Sequence, residues 1–242
     1  MAKLKITANL GLFFFITVQI TGAQNSGSGR EMSVEESYLQ ESNEIKIIRE
    51  QTRGDTEEQK LLALEFIRDA INRGNDREEV RASLEYLATE GTVLMARENG
   101  RLVNNYPLVR RQAVEYLGEM GTPEAKDTLI RIIRADNESM VLAEAFKSLA
   151  KIGINEKDET VKEITAVVRH YNTLATTKPD EYLIYSALEA YERLAVNGGI
   201  SDQYTLGVIT DIMAGPYQKK VRDRAREVLS HLFNANNKES GK

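Results

Sequence analysis

The chain has two histidines, His170 and His231, and no cysteine. A metal centre built on imidazole or thiolate needs three or four such side chains converging on one point. Two histidines far apart in sequence, on different predicted helices, do not supply them. His170 stands beside Tyr171 in a helical run and is expected to be a partly buried packing or helix-end residue. The chain also lacks GxSxG, a phosphate-binding loop and GxGxxG, so neither a nucleophilic serine nor a nucleotide cradle is on offer. Carboxylates are plentiful, 37 Asp and Glu in all, so counting alone leaves room for a two-carboxylate hydrolase; the enzymatic alternative is an enzyme or enzyme subunit with the chain's repeats as its frame. No catalytic residue, metal ligand or cofactor is expected.

Two other groups of residues are suited to binding. The first is TVLMARENGRLVNNYP, Thr92–Pro107, in which apolar Val93–Met95 and Leu102–Val103 flank Glu98-Asn99-Gly100. Asn-Gly between apolar segments is a strong hairpin signal; the competing reading is a helical extension ending at Asn99-Gly100. The segment gathers Arg97, Asn99, Arg101, Asn104, Asn105 and Tyr106 beside Arg110 and Arg111. They form a basic, hydrogen-bonding patch that could hold a protein or peptide partner. A purely structural use is the alternative, with Tyr106 stapling a helix entrance and Arg110 paired with a carboxylate. The second group is Lys219, Lys220, Arg222, Arg224 and Arg226. On a helix Lys219, Arg222 and Arg226 share one face, a candidate for an acidic partner or for peripheral contact with anionic lipid, and otherwise a solvated outer face. The net charge is −5. An acidic chain without a long basic stripe is a poor ligand for nucleic acid.

Helices must position these groups. Ser33-x-x-Glu36, Thr56-x-x-Gln59 and Asp76-x-x-Glu79 have capping-box spacing. Thr122-Pro123 and Pro179-Asp180 place proline at or near a first turn, and Asn137 suits an N-cap. Gly54, Gly74, Gly91, Gly121, Gly153, Gly198 and Gly215 are stop signals. Between these marks apolar residues recur at three and four: Leu61, Leu64, Ile67 and Ile71; Val109, Ala113, Tyr116, Leu117 and Met120; Val221, Ala225, Val228, Leu229 and Leu232. Such stripes bury one helix face. About ten helices are expected between Ser33 and Phe233, and the class is all-α.

The ends lie outside this body. Lys3 and Lys5, an apolar run from Ile6 to Ile20, and Thr21-Gly22-Ala23 follow the order of a secretory signal peptide over residues 1–23. Its loss would take the charge from −5 to −7. Residues 24–32 read as a flexible lead-in and 234–242 as a disordered polar tail. The chain is therefore expected to be exported, to the periplasm or alternatively beyond the cell, with no stable membrane span once the leader is cleaved.

One pattern recurs across the body. Ala63, Ala113, Ala145, Ala187 and Ala225 are each followed at plus four by Ile67, Leu117, Leu149, Tyr191 and Leu229. Gln59, Val109, Val141, Leu183 and Val221 precede them at minus four. The anchors are 50, 32, 42 and 38 residues apart, room for a second helix in each interval. A helix pair of that length cannot bury its apolar face alone and must stack on the next. Glu65, Glu115 and Glu189 fall at one repeat position, two after the anchor, which reads as a solvated face. The stretch Val109-Arg110-x-x-Ala113-x-x-x-Leu117-Gly118-x-x-Gly121-x-Pro123-Glu124-Ala125 resembles the HEAT repeat family, in the short bacterial form also seen in phycobilisome lyase-like proteins. Val221-Arg222-x-x-Ala225-x-x-x-Leu229 repeats its first half. The resemblance implies a right-handed α-solenoid of four to five helix pairs over 33–233, with 33–53 as a capping helix and 92–107 as an insertion. It also implies a curved surface lined by the second helix of each pair, and a non-enzymatic role in binding proteins. Leu142 and Ile184 replace the family's frequent arginine, so those repeats are expected to lose its polar contact.

Overall fold

A computed structural model describes residues 33–239 apart from 76, 176–178 and 198–199. The expected leader, the lead-in before Ser33 and the capping residue Asp76 lie outside the described residues. Ten α-helices follow one another: α1 Val34–Thr52, α2 Glu57–Asn72, α3 Glu78–Thr89, α4 Pro107–Met120, α5 Pro123–Ala135, α6 Ser139–Ile152, α7 Glu159–Leu174, α8 Glu181–Leu194, α9 Gln203–Ala214 and α10 Lys219–Glu239. Among the described residues the strands are β1, Arg97–Glu98, and β2, Arg101–Leu102.

The helices start where their sequences satisfy orphan amide groups. Thr56 and Gln59 form a reciprocal capping box on α2, and Thr122 accepts from Ala125 N–H with Pro123 at the first turn of α5. Gly121 and Gly153 close α4 and α6 in left-handed conformation. The N-cap of α6 departs from expectation. Asp136, one residue upstream of Asn137, accepts from Glu138 N–H at 3.0 Å, while the Asn137 carbonyl accepts from the Tyr171 hydroxyl. The tail departs too: α10 continues to Glu239, through six residues assigned to a disordered tail. Extending an established helix costs far less than starting one, so a polar sequence can still prolong it.

The packing is that of an all-α solenoid. Helices α2, α4, α6, α8 and α10 pack side by side in one layer, and α3, α5, α7 and α9 in the other. Helix α1 covers the open end against α2 and α3. The five anchor alanines all lie in the first layer and are fully buried. One continuous core from Ile48 to Leu232 runs between the layers, as expected where each unit hides apolar surface only against its neighbours. Two helices approach closely at Gly118. A Cβ there would stand 2.5 Å from Ser148 Oγ and 2.9 Å from Ser148 Cα, so α4 and α6 touch through backbone.

Candidate functional site

The segment between α3 and α4 folds as a hairpin. Arg97 pairs with Leu102 and Glu98 with Arg101 in antiparallel register. Asn99 and Gly100 turn with φ of 49° and 79°, the two left-handed residues of a type I′ turn. Val103 N–H donates to the Ala96 carbonyl at 3.0 Å, and the Asn104 side chain bonds both Ala96 N–H and the Leu94 carbonyl, lengthening the ribbon. At its root Gly91 has φ 81°, and a Cβ there would lie 2.5 Å from the Asn104 carbonyl oxygen. Only glycine fits.

Buried charge holds this root. Arg110 is 1% exposed and grips Asp136 with Nε at 2.7 Å and Nη2 at 3.3 Å. Its Nη1 donates to Asn105 Oδ1 at 2.8 Å and to the Glu90 carbonyl at 3.3 Å. Beside it Lys60, also buried, places Nζ 2.8 Å from Glu90 Oε2 and 3.3 Å from the Thr52 carbonyl. The Lys60–Glu90 contact lies off hydrogen-bond angle, so its attraction is coulombic. The Tyr86 and Tyr106 rings lie 5.6 and 5.7 Å from the same ammonium, within cation–π range. Burial, then the Glu90 charge, raise the pKa of both phenols. Tyr106 also donates to the Asp55 carbonyl at 2.9 Å.

Lys60 and Arg110 occupy one repeat position, three before the anchor alanine, and each meets a carboxylate at the end of its unit's second helix. Glu90 ends α3 and Asp136 ends α5. The two following units carry buried Leu142 and Ile184 there and so have no cation to pair. Arg222 has the position in α10 and is exposed. Sequence reasoning identified Arg110 but missed Lys60, Glu90 and Asp136. The signal was a cation at minus three in the first unit, hidden because Gln59 breaks the motif beside it.

This network reassigns part of the candidate patch. Arg110 is too deeply buried to meet a partner, Asn104 and Tyr106 spend their polar groups inside the chain, and Asn105, though exposed, gives its Oδ1 to Arg110. Their role is to mount the hairpin. Arg97 and Arg101 remain exposed on it, with Asn99 at the tip. Arg111 is half-exposed, 3.6 Å from Glu144. Around the two arginines, Val93, Leu94, Met95 and Val103 are exposed as well.

The second candidate surface is partly neutralised, with Arg222 exposed. Lys219 and Arg226 both bind Asp223, whose carboxyl the Lys219 hydrogen bond draws below its usual range. Arg224 pairs with Glu192 and Glu227. Lys220 lies 5.1 Å from the Tyr185 ring centre. Burial alone would raise the Glu192 pKa, but hydrogen bonds from His231 and Arg224 hold it low. His170 is exposed on α7, edge-on to Tyr171 at 5.5 Å, more open than expected. Glu65, Glu115 and Glu189 are all exposed. On the second layer, charges pair between units: Arg131 with Glu85, Arg134 with Glu163, Lys126 with Glu159. The Arg134 hydrogen bond lowers the Glu163 pKa. Among the described residues no cluster of His, Cys, Asp and Glu is placed to hold a metal, and no helix is long and apolar enough to cross a membrane.

Residues 101–192 match the family model described as HEAT repeats. No curated protein matches the chain. Among solved structures, the cryo-EM structure of a de novo designed 16-helix transmembrane nanopore aligns at 18% identity over 84% of this chain, with a TM-score of 0.19. That score is too low to bear on fold or function. The chain spans 64% of the designed chain's length.

Proposed function

We propose that the chain is a non-enzymatic scaffold that holds a protein or peptide partner in the cell envelope, with the hairpin as a principal contact. HEAT repeats suggest protein partners. The single observation that carries the site is the mounting of the hairpin. Buried Lys60–Glu90 and Arg110–Asp136 pairs fix its root, while its ribbon presents two arginines and four apolar side chains to solvent. A preformed projection binds without a large ordering cost, and exposed apolar groups beside arginine are what partner contacts favour. Export is supported by the basic, apolar and small-residue order of residues 1–23. Kinship with the short bacterial repeats is supported by the Val109–Ala125 motif.

Site-specific photo-crosslinking in living cells tests this. A crosslinker at Arg101 is expected to capture one dominant partner. Alanine at Arg97, Arg101 and Arg111 together is expected to remove that adduct without lowering the melting temperature. Loss of stability in the triple variant, or an adduct unchanged by it, refutes the proposal.

A further inference from the structure

The tip of the hairpin carries a reactive pair. Asn99 and Gly100 are both exposed, with φ of 49° and 79°. The bonds that hold the ribbon together lie below them. Val103 N–H donates to the Ala96 carbonyl, and the Asn104 side chain bonds Ala96 N–H and the Leu94 carbonyl. At the turn, Arg97 Nη1 donates to the Gly100 carbonyl at 3.3 Å, which belongs to the following peptide. The Asn99–Gly100 peptide takes part in none of these bonds, so it can rotate without breaking one of them. Flipping that peptide turns type I′ into type II′, the other two-residue turn that suits a hairpin. Asn99 already holds the positive φ that both turns require at its position. Gly100 passes from positive to negative φ without a steric penalty, as glycine does. The pairing of Glu98 with Arg101 is kept. In the flipped turn Asn99 has a ψ of about −120°, which eclipses Gly100 N with Asn99 Cβ and sets it against the side-chain amide carbon.

We propose that Asn99 is a site of spontaneous deamidation, and that its conversion limits the working life of the hairpin. The Gly100 amide loses its proton to hydroxide and its nitrogen attacks Asn99 Cγ. A C–N bond forms, the side-chain NH2 leaves as ammonia, and a five-membered imide remains. Water then opens the imide at either carbonyl. Opening at Cγ gives aspartate, and opening at the main-chain carbon gives isoaspartate. Both products add a carboxylate. Arg97 and Arg101 then stand against Glu98 and residue 99, and the positive excess of the tip is gone. Isoaspartate also puts an extra carbon into the backbone of a two-residue turn, so Glu98–Arg101 and Arg97–Leu102 cannot both keep their register. The root is spared, because the Arg110–Asp136 and Lys60–Glu90 pairs hold it from below. Asn104 and Asn105 on the same segment are guarded. Neither precedes glycine, the Asn104 side chain is bonded twice, and Asn105 Oδ1 is held by Arg110. The reaction stands apart from the scaffold reading; its effect on partner capture rests on that reading.

The test ages the purified chain in mildly alkaline buffer, well below its melting temperature, and follows each asparagine by peptide mapping. Asn99 is expected to convert with isoaspartate as the larger product, while Asn104 and Asn105 stay intact. Asn99→Gly keeps a Gly-Gly turn that the hairpin accepts and should remove the conversion at this position. The aged wild-type chain should melt at an unchanged temperature. A folded chain that stays intact while a synthetic peptide of residues 93–105 converts would show that the turn shields Asn99, and overturns the proposal. So does aspartate without isoaspartate, the mark of direct hydrolysis, or conversion of Asn104 and Asn105 at the same rate. A lowered melting temperature refutes the claim that the tip alone is altered. A photo-crosslinker at Val103, exposed on the ribbon, separates the two proposals when fresh and aged chains are added to envelope extracts. Its adduct should fade as the wild-type chain ages and persist in Asn99→Gly. Equal adducts from fresh and aged wild type sink the limit on the hairpin's life. No adduct from either, with Asn99 converted as expected, sinks the scaffold reading and upholds the chemistry.

Discussion

Lys60 and Arg110 are cations placed where the two following units have apolar Leu142 and Ile184. Each is tolerable because a carboxylate meets it in the same dry space. Breaking such a pair leaves one charge buried and uncompensated, at about 3–5 kcal/mol. Arg110→Ala and Asp136→Ala are each expected to lose stability of that order in urea denaturation. Arg110→Met with Asp136→Leu should lose distinctly less, because no orphan charge remains. Tyr217 offers a pH-dependent counterpart. Burial, and then the Glu181 and Asp180 charges, push its phenol up to about 12, while its hydroxyl donates to Asn172 Oδ1 at 2.9 Å. A raised phenol pKa means that the fold favours the neutral form. That contribution is complete below the ordinary value of 10.0 and is lost as pH climbs toward about 12. Tyr217→Phe should cost about 1 kcal/mol at neutral pH through the lost hydrogen bond. It should also flatten the alkaline limb of a melting-temperature profile between those values.

At the scale of elements, the contact of α4 with α6 depends on one missing side chain. Gly118→Ala drives a Cβ into Ser148 and should cost about 1–3 kcal/mol by overpacking. Combined with Ser148→Gly, part of that cost should return. A double-mutant cycle in urea that shows no coupling would place the strain elsewhere. The hairpin is an element of the opposite kind. Its strands bury little, and its position comes from residues at its root. The Asn99-Gly100 turn and the apolar flanks were legible in the sequence, because a type I′ turn demands two left-handed residues and few sequences supply them. What mounts the turn was not legible, since Glu90 and Asp136 meet cations 30 and 26 positions earlier in the chain.

For the whole molecule, units that touch only their neighbours should open from the ends inward. Helix α6 has packed helices on both sides in its own layer, whereas among the described residues α1 and α10 each stand at an end of the row. Amide hydrogen exchange is expected to be slowest in α6 and adjacent α4 and α8, and faster toward α1 and α10. Uniform protection from end to end would show one cooperative block and refute a solenoid that frays.

The architecture was written into the sequence by itself. An alanine flanked at plus and minus four by large apolar residues, repeated with room for a second helix between, dictates helix pairs that must stack, since period and burial are local properties of the chain. Neighbouring side chains likewise settled the caps at Thr56 and Thr122 and the turn at Asn99-Gly100. Only the tertiary structure decided which polar residues face inward. Arg97 and Arg110 look alike in the sequence. One reaches solvent and the other vanishes against Asp136, because the fate of a charge depends on the partner that folding brings to it from a distant part of the chain.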